Sequence, residues 1–342
     1  MTRPDPQQAL REAQQRFLAT IGTRLPQETL PLEDCLGRVC AEGVTSPEDS
    51  PPYPRAIVEG YLVPAEATQG ASDDTPGQAR IIGRVDPGDD HCPIPAPGEA
   101  VAVVTGSLVP EGPYAVIRSW EAHVEGETVT FTRPFPPGFF IEARGADLTA
   151  GSPLIPAGTR LTPRELGLAA SVGLSHLRVS QRPRIAVFAI GGEVIPHPRT
   201  PHPGQIRDCN SVMLAAALRQ AGALPQAMGI LPDDFDAALA RTGAALAHHD
   251  GLVLAGGTAA CGRDFVSDLF RELGELVVDG VPMRSGRPLI MGQAQGRPLI
   301  GVAGHPPEAL RGLHLFGLPA IARLQGEQRD PPDDLTIPWG AA

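Results

Sequence analysis

Ile185-Ala-Val-Phe-Ala-Ile-Gly-Gly-Glu193, Leu252-Val-Leu-Ala-Gly-Gly257 and Leu299-Ile-Gly-Val-Ala-Gly304 are apolar runs that each end in glycine. A short, continuously apolar, β-branch-rich run reads as a strand buried on both faces, as in a parallel sheet. Glycine at the exit of such a strand lets backbone N–H groups approach a bound anion. Ligands of open α/β sheets sit at these carboxyl-end exits. Three exits in one segment predict a phosphate-bearing small-molecule ligand.

Outward from these runs, helical and strand patterns alternate to about Gly326. The spacing predicts helices over 211–222, 235–247, 265–273 and 307–324, and strands over 252–255, 289–292 and 299–302. The succession reads as right-handed βα units in a doubly wound α/β domain. Upstream, Thr162-Pro-Arg-Glu165 is a capping box with proline at the first helical position, opening a helix through Val172 that Gly173 ends. Residues 7–21 carry Leu10, Ala13, Phe17, Leu18 and Ile21 at helical spacing. A further helical turn is expected to begin near Leu32 and close over Arg38 to Ala41.

Between these helical parts the chain changes character. Residues 46–137 are dense in Pro and Gly, with short β-type runs at 57–58, 79–85, 100–105, 115–117 and 129–132. Asp86-Pro-Gly88, Pro110-Glu-Gly112 and Glu125-Gly126 punctuate them as turns. The stretch reads as a small all-β module inserted into a larger framework. The segment after Gln328, with Pro331-Pro-Asp-Asp334, reads as extended or disordered.

Composition sets the outer bounds. A length of 342 residues exceeds one typical core, so two or three domains are expected. The aromatic fraction is only 4%, which leaves Ala, Leu, Val and Ile to build the cores. A net charge of −11 argues against nucleic-acid binding, which needs clustered cations. All 28 basic residues are arginine. The lack of lysine excludes Schiff-base chemistry and a Walker-type phosphate loop. Cys35, Cys40, Cys92, Cys209 and Cys261 show neither metal spacing nor a disulfide framework, which fits a reducing compartment. The N-terminus has no apolar signal-peptide core, and no apolar run reaches membrane-spanning length. A cytoplasmic protein with no membrane partner is the expectation.

Several collinear segments carry a resemblance. They are Leu32-Glu-Asp-Cys-Leu-Gly-Arg-Val-Cys-Ala-Glu42, Ser46-Pro-Glu-Asp-Ser-Pro-Pro-Tyr53, Glu59-Gly-Tyr61, and Gly98 to Pro110 with its Thr105-Gly106. Thr162 to Val179, Gly204-Gln-Ile-Arg-Asp-Cys-Asn210, Asp233-Asp234 and Val302-Ala-Gly-His-Pro-Pro307 continue the series. From Leu30 to about Gly326 the chain resembles the molybdopterin molybdenumtransferase family, the MoeA and gephyrin E-domain group. The order of these motifs makes them specific together where each alone is weak.

The resemblance implies an elongated homodimer built from several domains. Domain I, helical and mixed, would take residues 1–45 and 138–180. An inserted β domain II would take 46–137, and a molybdopterin-binding α/β domain III would take 181–326. Residues 327–342 would be a tail, and the family's C-terminal β-barrel domain IV is expected to be absent. Domain III of one subunit would face domain II of its partner. Other molybdenum-cofactor synthesis proteins or a client molybdoenzyme are possible partners under this reading.

The implied reaction inserts molybdate into the dithiolene of adenylylated molybdopterin and releases AMP. It needs Mg²⁺ on hard oxygen ligands, and donors and cations for the phosphates. The resemblance assigns catalytic roles to Glu59, Thr105, Glu193, Asp233 and Asp264, with Glu193 and Asp264 as metal ligands. It assigns cofactor binding to Gly191, Gly192, Asp208, Asn210, Gly256, Gly257, Arg284, Arg287, Gly304 and Pro306.

Several positions depart from the family pattern. Gly192 stands for the aspartate of TGDE and Ile190 for its threonine. Ala255, Ala259, Cys261, Gly262 and Arg263 depart from the SGGVSVGDYD loop. Gly280, Arg284 and Arg287 stand for three lysines, and His305 for an asparagine to which no acid–base role is assigned. Plainer readings stand beside the functional ones. Glu193 is also readable as a solvated loop carboxylate, Thr105 and Arg287 as turn residues, and the Asp233-Asp234 pair as a helix cap. The reading is therefore a divergent transferase. Its alternative is a catalytically impaired protein that holds molybdopterin or finished cofactor as a carrier, store or regulator. A different enzyme on the same α/β domain, such as a molybdopterin adenylyltransferase or a nicotinamide-nucleotide amidase relative, is disfavoured by the inserted β module.

Overall fold

A computed structural model describes residues 6–22, 25–258, 265–281 and 289–327. The chain forms two compact units. One holds the described residues of Met1–Glu42, Pro156–Leu166 and His176–Ala342; the other is Gly43–Ile155 with Gly167–Ser175.

The first unit is built on a six-stranded sheet. Its strands are β7 (Arg184–Ile190), β8 (Leu224–Leu231), β9 (Gly251–Ala255), β10 (Glu275–Asp279), β11 (Ile290–Ala294) and β12 (Arg297–Val302). They lie in the order β8-β7-β9-β12-β11-β10. The first four are parallel, while β11 and β10 pair antiparallel. The helices are α1 (Pro6–Ala19), α3 (Asn210–Gln220), α4 (Phe235–Leu246), α5 (Phe265–Leu273), α6 (Pro306–Gly312) and α7 (Leu318–Leu324), while α2 (Pro163–Ser171) begins in the first unit and ends in the second.

Burial explains why the strands read as unbroken apolar runs. In β7, Ile185 and Val187 join one core with Phe17 of α1, Leu214 of α3 and Phe316. The alternate residues Ala186, Phe188 and Ile190 join a second core with Ala238 of α4 and Leu269 of α5. Successive side chains of a strand point to opposite faces, so both faces must be apolar where helices cover both. Helix α5 buries Val266, Leu269 and Phe270, the i, i+3, i+4 stripe of a helix with one buried side.

Several sequence expectations are corrected. No helical turn closes over Arg38 to Ala41. The chain makes one 3-10 turn at Leu32–Asp34 and reverses at Gly37, where φ is +72°. Val39 and Cys40 then form bridges to Arg160 and Val179. Ile57 and Val58 are not a strand, because Arg55–Ala56 takes the pairing and the Ile57 amide turns to the Phe140 carbonyl. Strands and helices do not alternate to the end: β10, β11 and β12 form an antiparallel meander. β11 and β12 join through Gln295 and Gly296 at φ +54° and +76°, a two-residue turn whose signal is the glycine. The helix expected over 307–324 is instead α6, a π-helical turn at Leu313–Gly317, and α7. Pro319 lacks an amide hydrogen to give back, which favours a widened turn just before it.

The second unit holds another six-stranded sheet. Its strands are β1 (Gly60–Pro64), β2 (Gly77–Val85), β3 (Glu99–Val103), β4 (Tyr114–Arg118), β5 (Ala122–Glu125) and β6 (Thr128–Phe131), in the order β4-β1-β3-β2-β6-β5. All pairs are antiparallel except β2 with β3. Alternation again sorts the faces: Val63, Ala115 and Ile117 on one, Leu62, Val101 and Val116 on the other. No described helix is long and apolar enough to cross a membrane.

At the rim of this sheet Glu121 accepts hydrogen bonds from Arg118 Nε and Arg133 Nη2, each at 2.6 Å. The Arg118 bond is the main cause that holds the Glu121 pKa down at about 2. A depressed carboxylate stabilises the fold above its unfolded value of 4.5 and loses that contribution as pH falls toward 2. Glu121→Gln is therefore expected to lower unfolding free energy at pH 7 by about 1–3 kcal/mol. Urea titrations should show the difference shrinking steadily below about pH 4.5.

Candidate functional site

The register decides where the strand ends go. Ala189 aligns with Ala255, and Ala255 with Val302, so β7, β9 and β12 leave the sheet side by side. β8 and β9 lie on opposite sides of β7, which makes this edge a topological switch point. A cleft of ≈ 790 Å³ opens there. It is lined by the exits Gly191 to Val194, Gly256 to Thr258 and Gly304 to Pro306, with Asp233 from the end of β8 and Ile206 to Asn210 leading into α3. The three glycine-ended runs thus meet in one place.

Two of these glycines are required by geometry. Gly256 sits at φ +102°, and a Cβ there would lie 2.4 Å from the Ile190 carbonyl oxygen. Gly191 sits at φ +149°, with a would-be Cβ 2.7 Å from Glu193 Oε2. At its neighbour Gly192, a Cβ would stand 2.6 Å from Asp233 Oδ2. The carboxylates of Glu193 and Asp233 therefore flank one glycine pair. The glycine that stands for the family's aspartate at position 192 leaves room for Asp233.

The mouth of α3 is tied to the β12 exit. Asn210 Nδ2 donates to the Gly304 carbonyl at 2.7 Å, while its Oδ1 is buried with no partner among the described residues. Asp208 Oδ1 accepts from the Ser211 amide at 3.0 Å, so Asp208 caps the helix and lines the cleft together. The Asp233-Asp234 ambiguity resolves in the same way. Asp234 caps α4 by accepting from the Ala237 amide at 2.9 Å, and Asp233 is the one that lines the cleft.

The sequence-predicted set divides by position. Gly191, Gly192, Glu193, Asp208, Asn210, Asp233, Gly256, Gly257, Gly304 and Pro306 all line the cleft. Glu59 and Thr105 belong to the second unit, on exposed turns before β1 and after β3. Asp264, Arg284 and Arg287 lie outside the described residues, as does Cys261. Arg207, Cys209 and Thr258 also line the cleft and carried no role in the sequence reading. Arg207 is its one arginine among the described residues, held by a hydrogen bond from Nε to the Arg199 carbonyl at 3.1 Å. Its signal was its place inside the Gly204–Asn210 motif.

The donor set bears on a metal. No cluster of three or more potential metal-binding side chains exists among the described residues. Glu193 and Asp233 nonetheless supply hard carboxylate oxygens at one glycine turn, and Mg²⁺ is commonly held by one or two carboxylates plus substrate phosphates and water. That chemistry is of the kind such an ion takes.

Residues 8–173 match the family model of the MoeA N-terminal region (domain I and II), and residues 186–323 match a probable molybdopterin binding domain. Molybdopterin molybdenumtransferase 2 of Mycobacterium tuberculosis is 32% identical over 91% of this chain and 78% of its own length. The chain belongs to the molybdopterin molybdenumtransferase family. The Nostoc molybdopterin molybdenumtransferase is 29% identical over 85% of this chain and 67% of its own. The molybdopterin biosynthesis MoeA protein of Pyrococcus horikoshii superposes with a TM-score of 0.81 at 27% identity, covering 93% of this chain and 79% of that one.

Within this family fold, the Gly256 turn is the least replaceable part of the cleft. Gly256→Ala brings a side chain against fixed backbone at a left-handed φ, so a loss of about 2–4 kcal/mol is expected. Thermal melts of the purified variant check this.

Proposed function

We propose that this chain inserts molybdate into the dithiolene of adenylylated molybdopterin and releases AMP. The observation that supports the reading best is the convergence of four parallel-strand ends on one cleft, with Glu193 and Asp233 beside the Gly191-Gly192 turn, in a chain of this family. Backbone N–H groups at the Gly191–Gly192, Gly256–Gly257 and Gly304 exits and at the start of α3 receive phosphate oxygens. Arg207 adds a guanidinium, which suits phosphate by its forked donors. Arg284 and Arg287, from the sequence, add cations for phosphate and for the molybdate dianion.

Glu193 and Asp233 would hold Mg²⁺, with Asp264 joining them on the sequence reading. When bound, the ion supplies positive charge against the phosphate group from which AMP departs. The carboxylates fix its place, and the glycine turns keep the ligand backbone close enough for direct N–H contact. Asn210 positions the Gly304 loop against α3 through its amide.

The domain reading goes with the function: domain I at 1–45 and 138–180, domain II at 46–137, and domain III at 181–326 with the cleft. Glu59 and Thr105 serve the reaction from domain II, and the working form is a cytoplasmic homodimer.

The test is molybdate- and Mg²⁺-dependent AMP release from adenylylated molybdopterin by the pure protein. Asp233→Asn and Glu193→Gln should each lower that rate on the order of tenfold or more, partly recovered by excess Mg²⁺. Tight binding of molybdopterin without AMP release, at saturating molybdate and Mg²⁺, would select the carrier reading instead.

A further inference from the structure

A second hollow, of ≈ 420 Å³, lies on the α4 side of the first unit's sheet. It shares no lining residue with the cleft. Its floor is apolar, made by Phe188 of β7, Met228 of β8, and Ala244 and Ala245 of α4. A helix-covered sheet face is normally packed to crystal-like density. Two alanines on the covering helix leave this part of the face unfilled. Strand β8 also bulges here: Val187 aligns with Ala227 and Phe188 with Gly229, so Met228 is an extra residue. The volume is in the range of small-molecule sites.

The rim is cationic. Arg241 stands one turn before Ala244 and Ala245 on the same stripe of α4, and its guanidinium lies 5.5 Å from the centre of the Phe188 ring. Nη1 donates to the Ile230 carbonyl at 2.7 Å and Nη2 to the Met228 carbonyl at 2.9 Å. Those acceptors are neutral, so they fix the group without cancelling its charge. Arg184, the first residue of β7, adds a guanidinium with no partner among the described residues; its backbone amide donates to Asp250 Oδ2 at 2.8 Å. His248 follows in the turn after α4 and is exposed. Deeper in, His249 Nδ1 donates to the Ala245 carbonyl at 2.8 Å, and its Nε2 lies 3.1 Å from Gln226 Oε1. That ring braces Gln226 against the end of α4. No carboxylate lines the hollow among the described residues, in a chain whose net charge is −11.

We propose that this hollow is a second ligand site, for an organic anion with a flat apolar body, of the aromatic carboxylate class. The body lies on Phe188, Met228 and the alanine pair, and the anionic group meets Arg184 and Arg241 at the open side. The floor and the rim select that class together. An inorganic anion answers the guanidiniums but covers none of the apolar floor. A neutral ring covers the floor but leaves two fixed cations without a counter-charge. The site is independent of the transferase reading, because neither the glycine exits nor Glu193 and Asp233 take part in it.

The test titrates naphthoate, and separately its neutral counterpart naphthamide, into the full chain by calorimetry. Naphthoate should bind saturably, and naphthamide roughly tenfold more weakly or not at all. Arg184→Ala should weaken naphthoate by a similar factor, since it removes an exposed guanidinium and no core contact. Ala244→Leu, at an exposed helix position that favours leucine, should fill the hollow and abolish binding with the melting temperature held. In a chain with isotope-labelled methionine methyl groups, the Met228 signal should move on titration. That of Met291, buried in the other core of the sheet, should stay. Absence of saturable naphthoate binding overturns the proposal. So does binding that survives Ala244→Leu, that leaves the Met228 signal in place, or that naphthamide equals.

Discussion

Strands β7, β9 and β12 are covered by helices on both faces, and that burial governs everything at their ends. Residues such as Val187, Val253, Leu254 and Ile300 have no exposed surface. Each such side chain contributes on the order of 1.5–3 kcal/mol relative to exposure. A slip of one residue would exchange the two faces and misplace every one of them. The register is therefore fixed by packing, and the register in turn places Ala189, Ala255 and Val302 abreast. The backbones must then pass one another at close range. A Cβ on Gly304 would come 3.6 Å from the Gly256 Cα, and the Gly256 amide donates to the Val302 carbonyl. The cleft is thus a product of core packing more than of loop design.

The legible part of the sequence was the part that core burial dictates. The three glycine-ended runs, α5 and the Thr162-Glu165 cap all follow from periodicity and capping, and Thr162 N does donate to Glu165 Oε2 at 3.0 Å. Edge strands were missed for a physical reason. β8, Leu-Pro-Gln-Ala-Met-Gly-Ile-Leu, is paired on one side only, is mostly exposed, and carries a bulge next to Gly229. Its sequence therefore has neither the unbroken apolar run nor a clean alternation. β10 is short and lies at the opposite edge. The turn at Gly37 was hidden because a left-handed glycine can end a helix or reverse a strand, and only the partner strand decides. At the site, the glycines announced themselves while Arg207 and Cys209 did not. A charged or thiol side chain on a loop carries no period.

Charge is the quantity that the cleft must balance. Its described lining has three carboxylates, Glu193, Asp208 and Asp233, against Arg207. Two unit charges 4 Å apart interact by about 4 kcal/mol at an effective dielectric near 20. An anionic ligand entering such a lining is repelled unless a cation or an array of N–H dipoles meets it first. Asp208 is engaged by the Ser211 amide at the start of α3, which leaves Glu193 and Asp233 as the pair that a divalent ion would neutralise. The absence of lysine sharpens the point, because every fixed cation here must be an arginine.

The two units present unlike chemistry. The cleft of the first offers N–H groups, carboxylates and one guanidinium, which read charge and phosphate geometry but are poor at telling one flat ring from another. The second carries arginines stacked on aromatic rings, Arg118 over Trp120 and Phe140 and Arg133 over Phe135 and Phe139, with Glu121 joining the two arginines. Separate cores let each unit be packed for its own local demands. The glycines that admit phosphate need the rigid parallel sheet, and Phe140, left-handed at φ +56° beneath Arg118, needs a small β core able to hold it. Neither feature has a place in the other core.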